Sequence, residues 1–425
     1  MRWPDHAIWW HAYPLGFTGA EREALPGDAS PAPRLARLEG WLDHLVGLGC
    51  NGLALGPVFA SETHGYDTVD HYRVDPRLGS EDDLRRLIDA ASQRGVRVLL
   101  DGVFNHVGRG FRPFADVAAQ GEASPYRKWF HPDLRTFEGH DRLVTLDHGE
   151  PEVADYVTGV MTHWLERGID GWRLDAAYAV PPAFWRTVTD RVRARFPEAW
   201  LVGEVIHGDY ASFVDQTGVD SVTQYELWKA VWSSLNDGNL YELAHALDRH
   251  NGMLASFVPQ TFVGNHDVTR IASRVSERHL PHALVILLTV GGVPSIYAGD
   301  EFAFEGIKEE REGGDDAIRP AFPDRPAETP GHGGAHHRLH QELIGLRRRH
   351  PWLVRARTTV ATLTNTALSY TVGHGAERLA VVLNLGDEPA GVDLPAADWT
   401  CIAGEASFTK DGAAIPPTGW AIAEP

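Results

Sequence analysis

Three carboxylates at the ends of short apolar runs carry the strongest chemical signal in the chain. Asp175 closes Gly171-Trp172-Arg173-Leu174, Glu204 closes Trp200-Leu201-Val202-Gly203, and Asp267 follows Phe262-Val263-Gly264-Asn265-His266. Read as a strand, the first run has a period of two, which puts Gly171, Arg173 and Asp175 on one side. A guanidinium beside a carboxylate lowers its pKa and keeps it ionised, which suits a nucleophile. Glu204 leaves an apolar run and enters a drier setting near other carboxylates; both conditions raise a carboxyl pKa and suit a general acid. A pair of carboxyl groups with opposed pKa values describes glycoside hydrolysis, in which one attacks the anomeric carbon and the other protonates the leaving oxygen. A single strand-end carboxylate would read as an ion pair at a loop hinge. Three together, with histidines beside two of the surrounding motifs, point to an active site.

Such groups need a scaffold whose strand ends converge. Short apolar runs alternate with helical patterns as far as about residue 350, the mark of βα units around a parallel sheet. Eight runs read as strands: 8–13, 52–55, 96–100, 169–174, 200–202, 219–223, 257–263 and 293–297. Asp175 lies 29 residues before Glu204 and Asp267 lies 30 before Tyr297, one βα unit each, whereas Glu204 and Asp267 are 63 apart, two units. The 74 residues from Asp101 to Asp175 leave roughly 40 beyond one βαβ unit, so the chain makes an excursion after the third strand. Ser80-Glu81-Asp82-Asp83 ahead of Leu84, Leu87 and Ile88 has the form of a capping box, and Gly95 stops that helix. Beyond Pro351 the period changes to two: Leu368, Tyr370 and Val372 alternate with polar residues, and Leu379 to Leu385 forms a further run. The expected fold is an α/β (β/α)8 barrel over 1–106 and 148–350, a small irregular lobe over 107–147, and an antiparallel β-sandwich domain over 351–425.

Composition narrows the partners. Hydrophobic residues make up 43% and charged residues 23%, ordinary globular usage that excludes a disordered or collagen-like chain. A net charge of −19 repels phosphate backbones, so nucleic acid is not an expected partner, and a neutral or cationic substrate is. No stretch of 18 apolar residues occurs and the start lacks the pattern of a secretory leader, so no membrane partner and a cytoplasmic location are expected. Two cysteines, Cys50 and Cys401, are too few for a disulfide framework or a thiolate cage and read as buried free thiols.

Six segments in order and at barrel spacing give the chain, along its whole length, a specific resemblance to the α-amylase family, glycoside hydrolase family 13. They are His64-Gly65-Tyr66-Asp67, Asp101-Gly102-Val103-Phe104-Asn105-His106, Gly171-Trp172-Arg173-Leu174-Asp175-Ala176-Ala177, Gly203-Glu204-Val205, Phe262-Val263-Gly264-Asn265-His266-Asp267, and the run from Gly292 to Glu301. The resemblance implies that Asp175 is the nucleophile, that Glu204 is the acid and then the base, and that Asp267 holds sugar hydroxyls in the distorted ring. It also implies that His106 and His266 donate to the sugar being cleaved and that Tyr66 stacks on it. Asp101 is expected beside Arg173 or the sugar. Arg270, three residues past Asp267, is expected to buttress that carboxylate or to bind the next sugar.

The segment from Gly65 to Pro76, Glu204-Val205-Ile206-His207, and Glu305-Gly306 with Asp315, Asp316, Arg319 and Pro320 are similar to the branch containing cyclomaltodextrinases, neopullulanases and maltogenic amylases. That branch carries an N-terminal β domain, which is not expected here since the first strand reads near Ile8, and this leaves both its dimer and its preference for cyclic substrates open. Tyr178-Ala179 stands where calcium-dependent relatives carry Lys-His, so no cofactor and no high-affinity calcium site are expected, although Asn105 is present. The resemblance implies a retaining enzyme acting on α-glucosidic bonds of short or cyclic α-glucans, with oligosaccharide as partner. A transglycosylase using the same intermediate and an exo-acting α-glucosidase are the alternatives; oligomeric state is open. Of the aromatics, Trp41, Trp164, Trp185 and Trp228 fall in helical patterns and read as core, while Trp129, Phe130 and Phe137 in the excursion are candidates to line the site. His332, His336, His337 and His340 read as a solvated run entering a helix.

Overall fold

A computed structural model of the chain describes residues 2–26, 29–311 and 313–425. The eight expected parallel strands are present. In chain order they are β1 Trp9–Ala12, β2 Gly52–Leu55, β3 Arg97–Gly102, β4 Gly171–Leu174, β5 Trp200–Gly203, β6 Ser221–Val222, β7 Gln260–Phe262 and β8 Val293–Tyr297. They pair as β6-β5-β4-β3-β2-β1-β8-β7. A parallel bridge between Thr223 and Gln260 joins the two ends, so the sheet closes into a barrel. Closure aims every strand C-terminus at one face, which is where a barrel gathers side chains from distant parts of the sequence.

The helix Glu81–Gln93 shows how local sequence sets the ends of these units. Ser80 Oγ accepts from the Asp83 amide at 3.2 Å while Asp83 Oδ2 accepts from the Ser80 amide at 2.7 Å, so two otherwise unpaired donors are satisfied reciprocally. The excursion after β3 contains the helix Arg112–Gln120, short 3-10 turns, and an antiparallel pairing of His106–Val107 with Val144–Thr145.

After residue 355 the chain forms β9 Thr358–Leu363, β10 Ala367–His374, β11 Glu377–Asn384, β12 Ala390–Asp393, β13 Thr400–Gly404, β14 Ser407–Phe408, β15 Gly412–Ile415 and β16 Trp420–Glu424. These make a five-stranded sheet in the order β9-β10-β11-β16-β13 and a three-stranded sheet β12-β15-β14. Both are antiparallel. Ala380, Val382, Val392, Trp399 and Ile415 fill the space between the sheets. The opposite face of the larger sheet, with Leu368, Tyr370, Val372, Val381 and Leu383, belongs to the barrel's own core. Burial on both faces explains why β11 reads as a continuous apolar run and not as an alternation.

Two expectations fail for the same reason, which is that sequence does not show what covers a segment. Cys50 is buried and free, but Cys401 is exposed because β13 is an edge strand. The histidine run is solvated only in part: His332 is exposed, but His337 and His340 are buried, since the helix Ala335–Arg349 lays that face on the barrel. The His337 ring stacks on His44 with centroids 5.4 Å apart.

Buried histidines tie these layers together. Nε2 of His71 meets the Val103 carbonyl at 2.8 Å, that of His250 the Gly291 carbonyl at 2.9 Å, and that of His282 the Gly419 carbonyl at 3.1 Å. Burial pushes each of the three from 6.5 down to about 4. The unfolded chain takes up protons below pH 6.5 that these native imidazoles refuse, so stability is full above that pH and is lost as pH falls from about 6.5 toward 4. Between pH 6.5 and 4 the thermal midpoint of His282→Gln is expected to lose less on acidification than that of the wild type, and parallel profiles would contradict the assignment.

Candidate active site

The site is built on β4. Its period of two points Arg173 and Asp175 inward, and the Asp175 amide continues the ladder by donating to the Gly102 carbonyl at 3.0 Å. On neighbouring β3, Asp101 is in register with Arg173. Nη1 of Arg173 donates to both Asp101 oxygens, at 2.8 and 2.7 Å, and to Asp175 Oδ1 at 3.1 Å. Nη2 lies 2.7 Å from Glu204 Oε1 and 3.6 Å from Asp267 Oδ2. One guanidinium therefore gathers four carboxyl groups from β3, β4, β5 and the end of β7. Asp101, Asp175 and Glu204 are buried, and Asp267 is half-buried.

Each carboxylate has further partners. Ala176, immediately after Asp175, is left-handed at φ 44°. A non-glycine residue in that conformation is strained by about 1–3 kcal/mol. The turn aims the Ala176 amide at Glu204 Oε2, 3.0 Å away. Tyr225 donates its hydroxyl to Glu204 Oε1 at 3.1 Å and accepts from Asn265 Nδ2 at 2.9 Å. Asn265 Oδ1 in turn accepts from the Asp267 amide at 2.9 Å. Arg319, from the long loop after β8, donates from Nη2 to Asp267 Oδ1 at 2.9 Å and from Nε to the His266 carbonyl at 2.8 Å. Its guanidinium lies 4.5 Å over the Tyr13 ring.

The other expected sugar-contacting residues converge on the same mouth. Tyr66 donates to Asp101 Oδ2 at 3.1 Å, its hydroxyl also meets His266 Nε2, and the two rings are stacked 5.6 Å apart. His106 Nδ1 accepts from Asn105 Nδ2 at 3.1 Å, which leaves its buried Nε2 without a partner among the described residues; His266 Nδ1 is likewise unpaired. Burial pushes His106 down to about 3 and His266 well below the usual imidazole range, so both are neutral groups able to exchange hydrogen bonds with hydroxyls. Among the described residues no cluster of three or more His, Cys, Asp or Glu is arranged to hold a metal ion.

The charge balance differs from the one the sequence suggests. Arg173 was expected to depress Asp175, yet burial pushes the Asp175 carboxyl well above the ordinary carboxylate range; Arg173 opposes this, and Glu204, Asp101 and Asp267 reinforce it. Asp101 is pushed up to about 6 by the same burial. Two guanidiniums, Arg173 and Arg319, face four carboxyl groups, and at Asp101 and Asp175 burial outweighs the nearby positive charge, so these two hold protons more tightly than free carboxyls do.

Three placements correct the sequence reading. Arg270 neither touches Asp267 nor faces a ligand: it is fully buried, Nη1 donates to Asp300 Oδ1 at 2.8 Å, and Arg319 takes the place beside Asp267. Trp129 and Phe130 are lobe core, with Trp129 Nε1 spent on Glu152 at 2.9 Å. Only Phe137 of the three reaches the site, stacked on His106 at 4.8 Å. Next to it, Glu138 is left-handed at φ 49° and accepts from the Tyr178 hydroxyl at 2.9 Å, so the lobe crosses from the end of β3 to the loop after β4. Sequence reasoning assigned no role to Tyr225, Asn265 or Tyr13. For Asn265 a signal existed, since it sits two residues before Asp267.

A family model described as alpha amylase, catalytic domain, matches residues 35–141 and 134–328, and a domain of unknown function (DUF3459) matches 355–423. A cyclomaltodextrinase from Bacillus sp is 34% identical over 342 residues, covering 72% of this chain and 60% of the relative, so the chain spans about three fifths of that relative's length. The native structure of Nostoc punctiforme debranching enzyme is similar with a TM-score of 0.84 and 26% identity over 100% of this chain and 99% of that one. The ligand-free cyclic α-maltosyl-(1→6)-maltose hydrolase of Arthrobacter globiformis gives 0.83 and 26% over 99% and 98%. Among the described residues no helix is long and apolar enough to cross a membrane. Motifs, barrel and family model agree, and the chain belongs to the α-amylase family, glycoside hydrolase family 13.

Proposed function

We propose that this protein is a retaining hydrolase of α-glucosidic bonds in short or cyclic α-glucans. The observation that carries the reading is the shared guanidinium: Nη1 of Arg173 holds Asp175 and Nη2 holds Glu204, so two carboxyl groups from successive strand ends are fixed beside each other. Asp175 Oδ attacks the anomeric carbon while the glycosidic oxygen departs with the proton of Glu204. Glu204, now a carboxylate, takes a proton from water, whose oxygen attacks the same carbon and releases Asp175. Two inversions give net retention. Asp267, fixed by Arg319, binds ring hydroxyls, and neutral His106 and His266 complete the set of partners.

A short substrate is favoured by what crosses the mouth. Phe137 on His106 and Glu138 on Tyr178 put the lobe over the entrance, which an extended polymer has to pass. The two solved relatives, a debranching enzyme and a hydrolase named for a small cyclic tetrasaccharide, support compact or branched substrates, since each is similar over nearly its whole length.

The test is proton NMR of the first product released from a panel of linear, branched and cyclic malto-oligosaccharides. The α-anomer should appear first, with chains no longer than the substrate. Initial β-anomer would exclude retention. Products longer than the substrate would assign the second step to a sugar hydroxyl in place of water.

A further inference from the structure

Arg270 and Asp300 form a buried ion pair outside the set of groups that face the cleft. Arg270 is 0% exposed and Asp300 2%. Removing two charges from water is costly unless the geometry exploits them, so a pair at this depth calls for an account. Every branch of the guanidinium is spent: Nη1 on Asp300 and Nη2 on the Ala298 carbonyl at 3.0 Å, both just past β8, and Nε on the Ile318 carbonyl at 3.1 Å in the loop beyond. The same Ile318 carbonyl also accepts from the Tyr297 hydroxyl at 2.8 Å, and Arg270 lies 4.2 Å over the Tyr297 ring. The Arg270 amide holds the loop a second time, donating to the Gly306 carbonyl at 3.0 Å. Ile318 directly precedes Arg319, whose Nη2 holds Asp267. On the other side, a Cβ at Gly264 would collide with Asp300 Oδ2, so the pair packs against the strand end that carries His266 and Asp267.

We propose that Arg270 is a positioning residue: anchored by Asp300, it docks the loop after β8 through the Ile318 carbonyl and so sets Arg319 against the Asp267 carboxylate. The role needs a planar fork, since three donors must point at three fixed acceptors in one plane; a lysine keeps the charge beside Asp300 but offers no such fork. The functional consequence rests on the hydrolase reading above, in which Asp267 acts on the distorted sugar.

The test is a double-mutant cycle. Arg319→Ala should lower kcat about 10²-fold, the order of loss that misplacing a reacting group produces. Arg270→Lys should lower kcat in the same sense with KM little changed. In the Arg319→Ala background Arg270→Lys should cost nothing further, because the group it positions is gone. Loss of folded enzyme would instead multiply with Arg319→Ala, and multiplied losses overturn the proposal, as does an Arg270→Lys enzyme of full activity. Should Arg270→Lys fail to fold, Asp300→Asn, which removes the charge that anchors Arg270, enters the same cycle with the same two outcomes. The crystal structure of Arg270→Lys, or of Asp300→Asn, reads the placement without substrate: Arg319 should leave Asp267, and an unchanged 2.9 Å contact overturns the proposal. A wild-type protein that cleaves neither maltotriose nor a cyclodextrin would sink the hydrolase reading alone, and the structural arm would still decide this one.

Discussion

Asp175→Asn is expected to lose about 10⁴- to 10⁶-fold in kcat, the scale found when a covalent nucleophile is removed, and to gain thermal stability. The two effects share a cause. Asp175 is buried among Glu204, Asp101 and Asp267 with one shared guanidinium, and burial pushes its carboxyl well above the ordinary range. A carboxyl raised in the folded state binds its proton more tightly there than in the unfolded chain. Stability is therefore unimpaired below the unfolded value near pH 4 and is lost as pH rises from there through the folded pKa. Asparagine still accepts from Arg173 and has no charge to desolvate. The gap in thermal midpoint between variant and wild type should thus widen as pH rises from about 4 and level off only above the raised pKa of the folded state. Scanning fluorimetry over that range checks it. A variant less stable than wild type at neutral pH would mean that the ionised carboxylate is a net support of the fold, and kcat within tenfold of wild type would remove Asp175 from the reaction. The expected trade is the usual one for a site arranged for chemistry at the expense of stability.

What the sequence made legible follows from the range of the interactions concerned. Each barrel strand announces itself by a local apolar run, and Asp175, Glu204 and Asp267 stand out because each ends or follows one. The juxtaposition of Arg173 and Asp175 needs only the period of a strand. The electrostatics needed more: from sequence the single visible neighbour of Asp175 is an arginine, whereas the three carboxylates that oppose that arginine come from β3, β5 and the end of β7. Arg319 stood in a loop without periodicity, where branch similarity marked it but nothing local tied it to Asp267, whereas Arg270 lies nearer to Asp267 in sequence and yet is turned away from it. Trp129, Phe130 and Phe137 belong to one excursion, and which of them faces the site is decided by Glu152 and His106, far from them in the chain. The β11 run suggested a strand, but its burial on both faces depends on how the C-terminal sheet docks on the barrel.

Glu204→Gln should separate the two chemical steps. The glutamine keeps the shape and one acceptor oxygen for Arg173 and Tyr225, gives up the acceptor that takes the Ala176 amide, and can neither deliver a proton to the leaving oxygen nor take one from water. Hydrolysis of malto-oligosaccharides should therefore fall by about 10²- to 10⁴-fold, the usual contribution of a positioned acid–base group. α-Maltosyl fluoride changes the balance, because fluoride departs without protonation and the first step no longer needs Glu204. The second step still does, since water must lose a proton as it attacks. The variant should accordingly release a burst of about one fluoride per enzyme and then slow, with the maltosyl group held as an ester on Asp175. Mass spectrometry of the quenched protein, followed by peptide mapping, should place the added mass on the segment that contains Asp175. An adduct on another residue would reassign the nucleophile. Steady fluoride release without an adduct would show that Glu204 is not the base of the second step, and the pairing by Arg173 would then be structural.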